Sequence, residues 1–167
     1  PLFANRLINN SGAVVNNYHS NFELHEGINN GTITGTGVLS VHDDFTNFGS
    51  VSQSEVYVTD GLFQNNGSLT ASNLDISSGV EFRTNMDNLS ASVQNDGMLI
   101  ATGGTNNNTI TGNGSLLIFG GAMINDGTIT QDDLAINSDS TLRTSAQSLT
   151  IANGIENNGT LFIDHAT

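Results

Sequence analysis

The stretch Ile124-Asn125-Asp126-Gly127-Thr128-Ile129 carries the pattern that most limits what this chain can become. An apolar residue leads into Asn-x-Gly, and an apolar side chain returns two residues after the glycine. Variants recur at Asn9-Asn10-Ser11-Gly12, Asn29-Asn30-Gly31, Asn47-Phe48-Gly49, Asn65-Asn66-Gly67, Asn95-Asp96-Gly97 and Asn157-Asn158-Gly159. Asn and Gly tolerate positive φ, so each copy reads as a turn. Gly12, Gly31, Gly49, Gly67, Gly97, Gly127 and Gly159, or the Asn or Asp beside each, are expected in the left-handed region. The apolar residue that follows starts a strand with one side chain inward. Val14, Ile33, Val51, Leu69, Leu99, Ile129 and Leu161 are thereby expected in one interior column.

Turn-then-strand at a repeated interval is the mark of a solenoid. The glycines of the phrase are spaced closely from Gly12 to Gly67 and widely from Gly67 to Gly159, which suggests a short coil near 18 and a long one near 30. Residues 67–89 also align without a gap on 127–149, at an offset of 60. A second pair matches Ile33-Thr34-Gly35-Thr36-Gly37 with Ile110-Thr111-Gly112-Asn113-Gly114. Apolar-x-apolar triplets, as in Leu39/Val41, Val56/Val58, Leu74/Ile76 and Leu134/Ile136, are short strands with both ends inward. The fold class that follows is all-β, a right-handed parallel β-helix of about seven coils in a single domain over 1–167, less regular over 1–27. Apolar residues fail to return every six positions, which disfavours the left-handed hexapeptide form. Coils stacked about 4.8 Å apart would place like corners above one another, so the corner asparagines are expected to form a hydrogen-bonded ladder.

Composition narrows function. The chain has three Arg, no Lys, and a net charge of −13, which argues against nucleic acid and against electrostatic attachment to anionic lipid. No run of about 18 apolar residues offers a membrane helix, so no membrane insertion is expected. Without cysteine there is neither thiol chemistry nor a disulfide. Pro1 is no translation start, and Leu161-Phe162-Ile163-Asp164 begins a further strand, so a piece of a longer protein is expected.

Ile28-Asn29-Asn30-Gly31-Thr32-Ile33-Thr34-Gly35-Thr36-Gly37 and Ile155-Glu156-Asn157-Asn158-Gly159-Thr160-Leu161 resemble passenger-domain repeats of bacterial autotransporter adhesins and filamentous-haemagglutinin-type surface proteins. The resemblance covers nearly the whole chain, most clearly 28–163. It implies a right-handed β-helix displayed outside a bacterial cell, with no shared catalytic motif.

The candidate chemistry is thin. Asp43-Asp44 and Asp132-Asp133 fall between strands, where Asp is a common turn residue. Arg83 and Arg143 are equivalent in the longer internal repeat, which suits covering apolar surface better than catalysis. Among His19, His25, His42 and His165 only the first two approach a zinc spacing, and no Cys joins them. Oxygen-rich Asp and Asn would suit calcium, but the nonapeptide calcium repeat is missing, so no cofactor is expected. No catalytic activity is expected, a polysaccharide-active β-helix being the weakest alternative.

What the repeat leaves unexplained is the polar stretch Thr102-Gly103-Gly104-Thr105-Asn106-Asn107-Asn108, expected as an insertion loop, and the irregular Asn16-Asn17-Tyr18-His19-Ser20-Asn21. Loops on a rigid scaffold are where recognition sits. Thr105, Asn106, Asn107, Asn108, Asn17 and Tyr18 are therefore the candidate binding residues. The expected partner is a host or neighbouring-cell surface glycan or protein. The alternative is a structural subunit that stacks end to end with copies of itself through open strand edges.

Overall fold

In the computed structural model, which describes residues 2–145 and 148–164, the chain is a parallel β-solenoid. Short strands alternate with corners, and each strand pairs in parallel with one about one coil later. Three faces result. On the second face the register runs Leu7, Gly27, Phe45, Phe63, Phe82, Leu99, Leu116, Leu134, Ile155, which makes nine levels. The step from one level to the next varies little, being shortest from Phe82 to Leu99 and from Leu99 to Leu116, and longest from Leu134 to Ile155. Eight intervals of about 4.8 Å give a rod on the order of 40 Å tall. The region before residue 28 belongs to the same rod, since Leu2–Asn9 pairs in parallel with Asn21–Asn29.

The expected long coil does not exist. Gly31, Gly49 and Gly67 precede strands on the same face, one coil apart. From Gly67 to Gly97 the chain passes five strand segments (68–70, 73–76, 81–84, 89–90 and 92–95), which is one and two-thirds coils. The corner phrase therefore moves to another face. The longer internal repeat spans ten segments, three and a third coils, and carries Leu69 of the third face onto Ile129 of the first.

The expected single column is corrected by the same geometry. Ile33, Val51 and Leu69 do stack, but Leu99 belongs to the second face, Ile129 to the first, and Leu161 stands over Leu142. Val14 points outward, because two extra residues in the Gly12 corner hand the inward place to Val15, which pairs with Ile33. The segment 80–91 holds the strand Glu81–Thr84, a 3₁₀ turn at Met86–Asn88 and the start of the strand Leu89–Asn95. The core is aliphatic apart from Phe22 and the stacked Phe45, Phe63 and Phe82, whose neighbouring ring centroids are 4.9 Å apart.

The asparagine ladder is present and has a direction. Asn9 Nδ2 donates to Asn29 Oδ1, Asn29 to Asn47 and Asn47 to Asn65, each at 2.7 Å. Each amide's second hydrogen goes to a backbone carbonyl of the following coil, as Asn47 Nδ2 does to Ser68 O at 3.0 Å. Thr84 ends the run: its hydroxyl accepts from Asn65 and donates to Asn85 O. Asn106, Asn125 and Thr144 repeat the device on the third face. Burial of so many amides is tolerable only because both hydrogens are used.

The corner glycines are corrected as well. Of the seven, only Gly12 has positive φ, at 79°, and no neighbouring Asn or Asp has it. The others lie outside the left-handed region, and glycine is needed because a Cβ would strike the previous coil. At Gly49 it would meet the carbonyl oxygen of Gly31, and at Gly127 that of Asn108. Positive φ falls instead on glycines such as Gly35 and Gly112, each followed one coil later by a buried glutamine. Gln53 and Gln131 bond back across these levels to Asn17 and Asn95.

Candidate functional site

Two of the six candidate binding residues lie in a strand, and a third is buried just past one. The stretch expected as an insertion loop contains the strand Gly104–Asn106, paired with Ala122–Asn125. Asn106 is fully buried in the ladder, and the Thr105 amide donates to Asp87 Oδ1 at 2.8 Å. Asn17 is buried too, donating to Val38 O at 3.0 Å and to Gln53 Oε1 at 3.2 Å. Asn108 is half-buried, while Asn107 and Tyr18 are exposed. The structure does not bring these six together.

The histidines divide differently from their spacing. His25 stacks between Phe3 and His42, with centroids 5.3 and 5.5 Å away, while His19 Nδ1 faces Thr36 Oγ1 at 3.2 Å. His165 lies outside the described residues. Among the described residues no cluster of three or more His, Asp or Glu is placed to hold a metal, and no helix is long and apolar enough to cross a membrane. Arg83 lies over the Phe119 ring at 5.3 Å, and Arg143 pairs with Asp164 at 2.7 Å; both are outward.

What the coils do assemble is a groove on the first face. Strands Val38–Val41, Glu55–Val58, Ser68–Ile76 and Leu89–Asn95 send alternate residues outward. Their registers align Ser40, Tyr57, Asp75, Gln94 and Thr111 in one outer column. Glu55, Asn73 and Ser92 stand beside them in a second. The enclosed volume is about 430 Å³. That is within the range of small-ligand sites.

Tyr57 Oη donates to Glu55 Oε2 at 2.7 Å, which holds the phenol upright as a wall. Thr111 Oγ1 donates to Gln94 Oε1 at 3.2 Å, and Gln94 Nε2 donates to Asp96 Oδ1 at 3.1 Å. Burial, and secondarily the charge of Asp96, raises the Asp75 carboxyl above its ordinary range. The Tyr57 hydroxyl is raised chiefly by its hydrogen bond to Glu55. The lining thus offers two carboxylates, two amides, hydroxyls and one aromatic ring, with no Lys or Arg. Such a surface suits a neutral or amino-bearing polyhydroxyl ligand and repels an acidic one.

The raised Asp75 has a consequence for stability. The folded state holds this proton more firmly than the unfolded chain does. Its contribution is full below the ordinary carboxylate pKa and is lost as pH rises through the raised value. Asp75→Asn is expected to flatten the fall in melting temperature over that interval. Parallel melting curves against pH for the two proteins would remove the basis for the shift.

Sequence analysis missed this groove, although the signal was in the apolar-x-apolar triplets. Tyr57 and Asp75 are the middle residues of Val56/Val58 and Leu74/Ile76, and stacking those middles outlines the groove. Against known proteins, the chain matches no family model, no curated protein and no solved structure, so its function has to be argued from its own surface.

Proposed function

We propose that this chain is a non-enzymatic segment of a bacterial surface protein, held outside the cell, whose first-face groove binds a neutral or amino-bearing glycan. The observation that carries this is the convergence of Tyr57, Asp75, Asn73 and Gln94, from three successive coils, on one concave polar surface. The coils beneath are fully packed, so the side chains are held with little ordering left to lose on binding. Carboxylates and amides hydrogen-bond sugar hydroxyls, and the Tyr57 ring supplies an apolar face for a pyranose. The resemblance to surface-displayed repeats supports the location.

The test is a glycan array probed with the labelled protein. Binding is expected to neutral or amino-bearing glycans, with acidic ones disfavoured. Tyr57→Ala is expected to lower affinity at least about ten-fold, the loss of an aromatic contact of about 1.4 kcal/mol or more. Asp75→Asn is expected to weaken amino sugars most. Binding confined to acidic glycans, or unchanged in both variants, would overturn the assignment. Cleavage of the bound glycan would replace it with an enzyme.

A further inference from the structure

The rod carries two arrays of hydroxyl side chains that packing does not require, one clear of the groove and one that starts at the groove's end. On the third face, the rows Thr32/Thr34, Ser50/Ser52 and Ser68/Thr70 flank the inward Ile33, Val51 and Leu69. Successive rows are one coil apart with no register shift. On the first face, from the end of the groove onward, Thr109/Thr111 and Thr128/Thr130 repeat the arrangement, and Thr150 continues it over Thr130. The two arrays descend from the second internal repeat, which carries Thr32 and Thr34 onto Thr109 and Thr111 and onto a different face.

Each array is a lattice. Rows stack about 4.8 Å apart, and the two hydroxyls of a row, at alternate positions along a strand, are separated by about 6.7 Å. These repeats are close to those of water oxygens along the a and c axes of hexagonal ice. The side chains are partly or fully exposed. Apart from Thr111, whose hydroxyl bonds Gln94, they form no side-chain hydrogen bond within the described residues. Neither array contains a charged residue, in a chain of sixteen acids and three Arg. On the second face, by contrast, Arg6, Glu26, Glu81 and Arg83 all project outward.

We propose that these two arrays bind ice, by holding water in positions that join the crystal lattice. A hydroxyl donates and accepts as water does, and the threonine methyl fixes its rotamer against the strand surface. A charged group would order its own shell in another geometry, so its exclusion fits this occupant. One hydroxyl–water contact is weak. A rigid lattice of them adds contacts without further ordering cost, and this makes attachment to a crystal face strong. Crystalline polysaccharide is the competing flat partner, but the arrays hold no aromatic side chain to lie against its rings. The third-face lattice is independent of the glycan groove; the first-face lattice shares Thr109 and Thr111 with its end, while the groove's tyrosine and carboxylates lie outside both.

The experiment is growth of a single ice crystal in the purified protein, with recrystallisation in a frozen film as a second readout. The wild type is expected to facet the crystal and hold its growth over a measurable gap below the melting point. Ser52→Tyr and Thr130→Tyr, at the middles of the two lattices, are each expected to shrink that gap. The double variant should abolish it. Thr46→Tyr, outward on the second face, is the control and should leave it unchanged. Thermal melting of each variant checks that the rod remains folded. The proposal is overturned by an unfaceted crystal in the wild type, or by a folded double variant that still arrests growth. Retention on crystalline cellulose with ordinary ice growth would also overturn it.

Discussion

Asn47→Ala is expected to lower the free energy of unfolding by about 4 kcal/mol, a large effect for a single polar truncation. Asn47 sits mid-ladder and is fully buried. Its removal strands three groups at once: the Asn29 amide that donates to it, the Asn65 oxygen it donates to, and the Ser68 carbonyl. Each orphaned buried group costs about 1–3 kcal/mol, and the vacated volume adds a cavity. Asn47→Thr should cost less than Asn47→Ala, because Thr84 and Thr144 show that a hydroxyl can accept the rung below. It would still leave Asn65 without a donor. Denaturant unfolding of the three proteins measures the order. An alanine variant within about 1 kcal/mol of wild type would mean that the ladder is ornamental.

The inward set and the ladder were legible because each follows from local pattern. Period-two alternation fixes which residues of Val56-Tyr57-Val58 turn in, and repeated Asn-x-Gly fixes where the chain bends. The way these units wind was not legible. The wide interval between Gly67 and Gly97 looks like a longer coil on paper. In space it is five segments of a three-sided coil, which returns to a different face. A one-dimensional repeat says nothing about how many sides the solenoid has. The same gap hid the groove, since Tyr57, Asp75 and Gln94 become neighbours only once the coil length is known. Reading Thr102 to Asn108 as a loop failed for another reason. Polar composition usually marks exposed chain, but here Asn106 is a rung of a buried ladder. In this chain asparagine is a core residue.

Gly49→Ala and Gly12→Ala should separate the two roles that glycine plays at the corners. Gly49 lies outside the left-handed region, so alanine meets no left-handed penalty there. Its Cβ would nevertheless lie against the carbonyl oxygen of Gly31, and 2.9 Å from the carbonyl carbon of Asn30. The coils cannot ease apart at that point, because the Ser50 amide donates to the same Gly31 oxygen at 2.9 Å. The methyl must open the stack or break that bond, at a cost of about 3 kcal/mol or more. Gly12 is the reverse case. It has φ 79°, and a Cβ there would meet nothing within 4 Å. Alanine at Gly12 therefore carries only the left-handed penalty, about 1 kcal/mol. If turn conformation alone dictated the corner glycines, the order would be opposite and Gly49→Ala would be nearly silent. Melting temperatures of the two variants decide between these outcomes. A Gly49→Ala protein as stable as the wild type would show that backbone contact between coils does not select glycine.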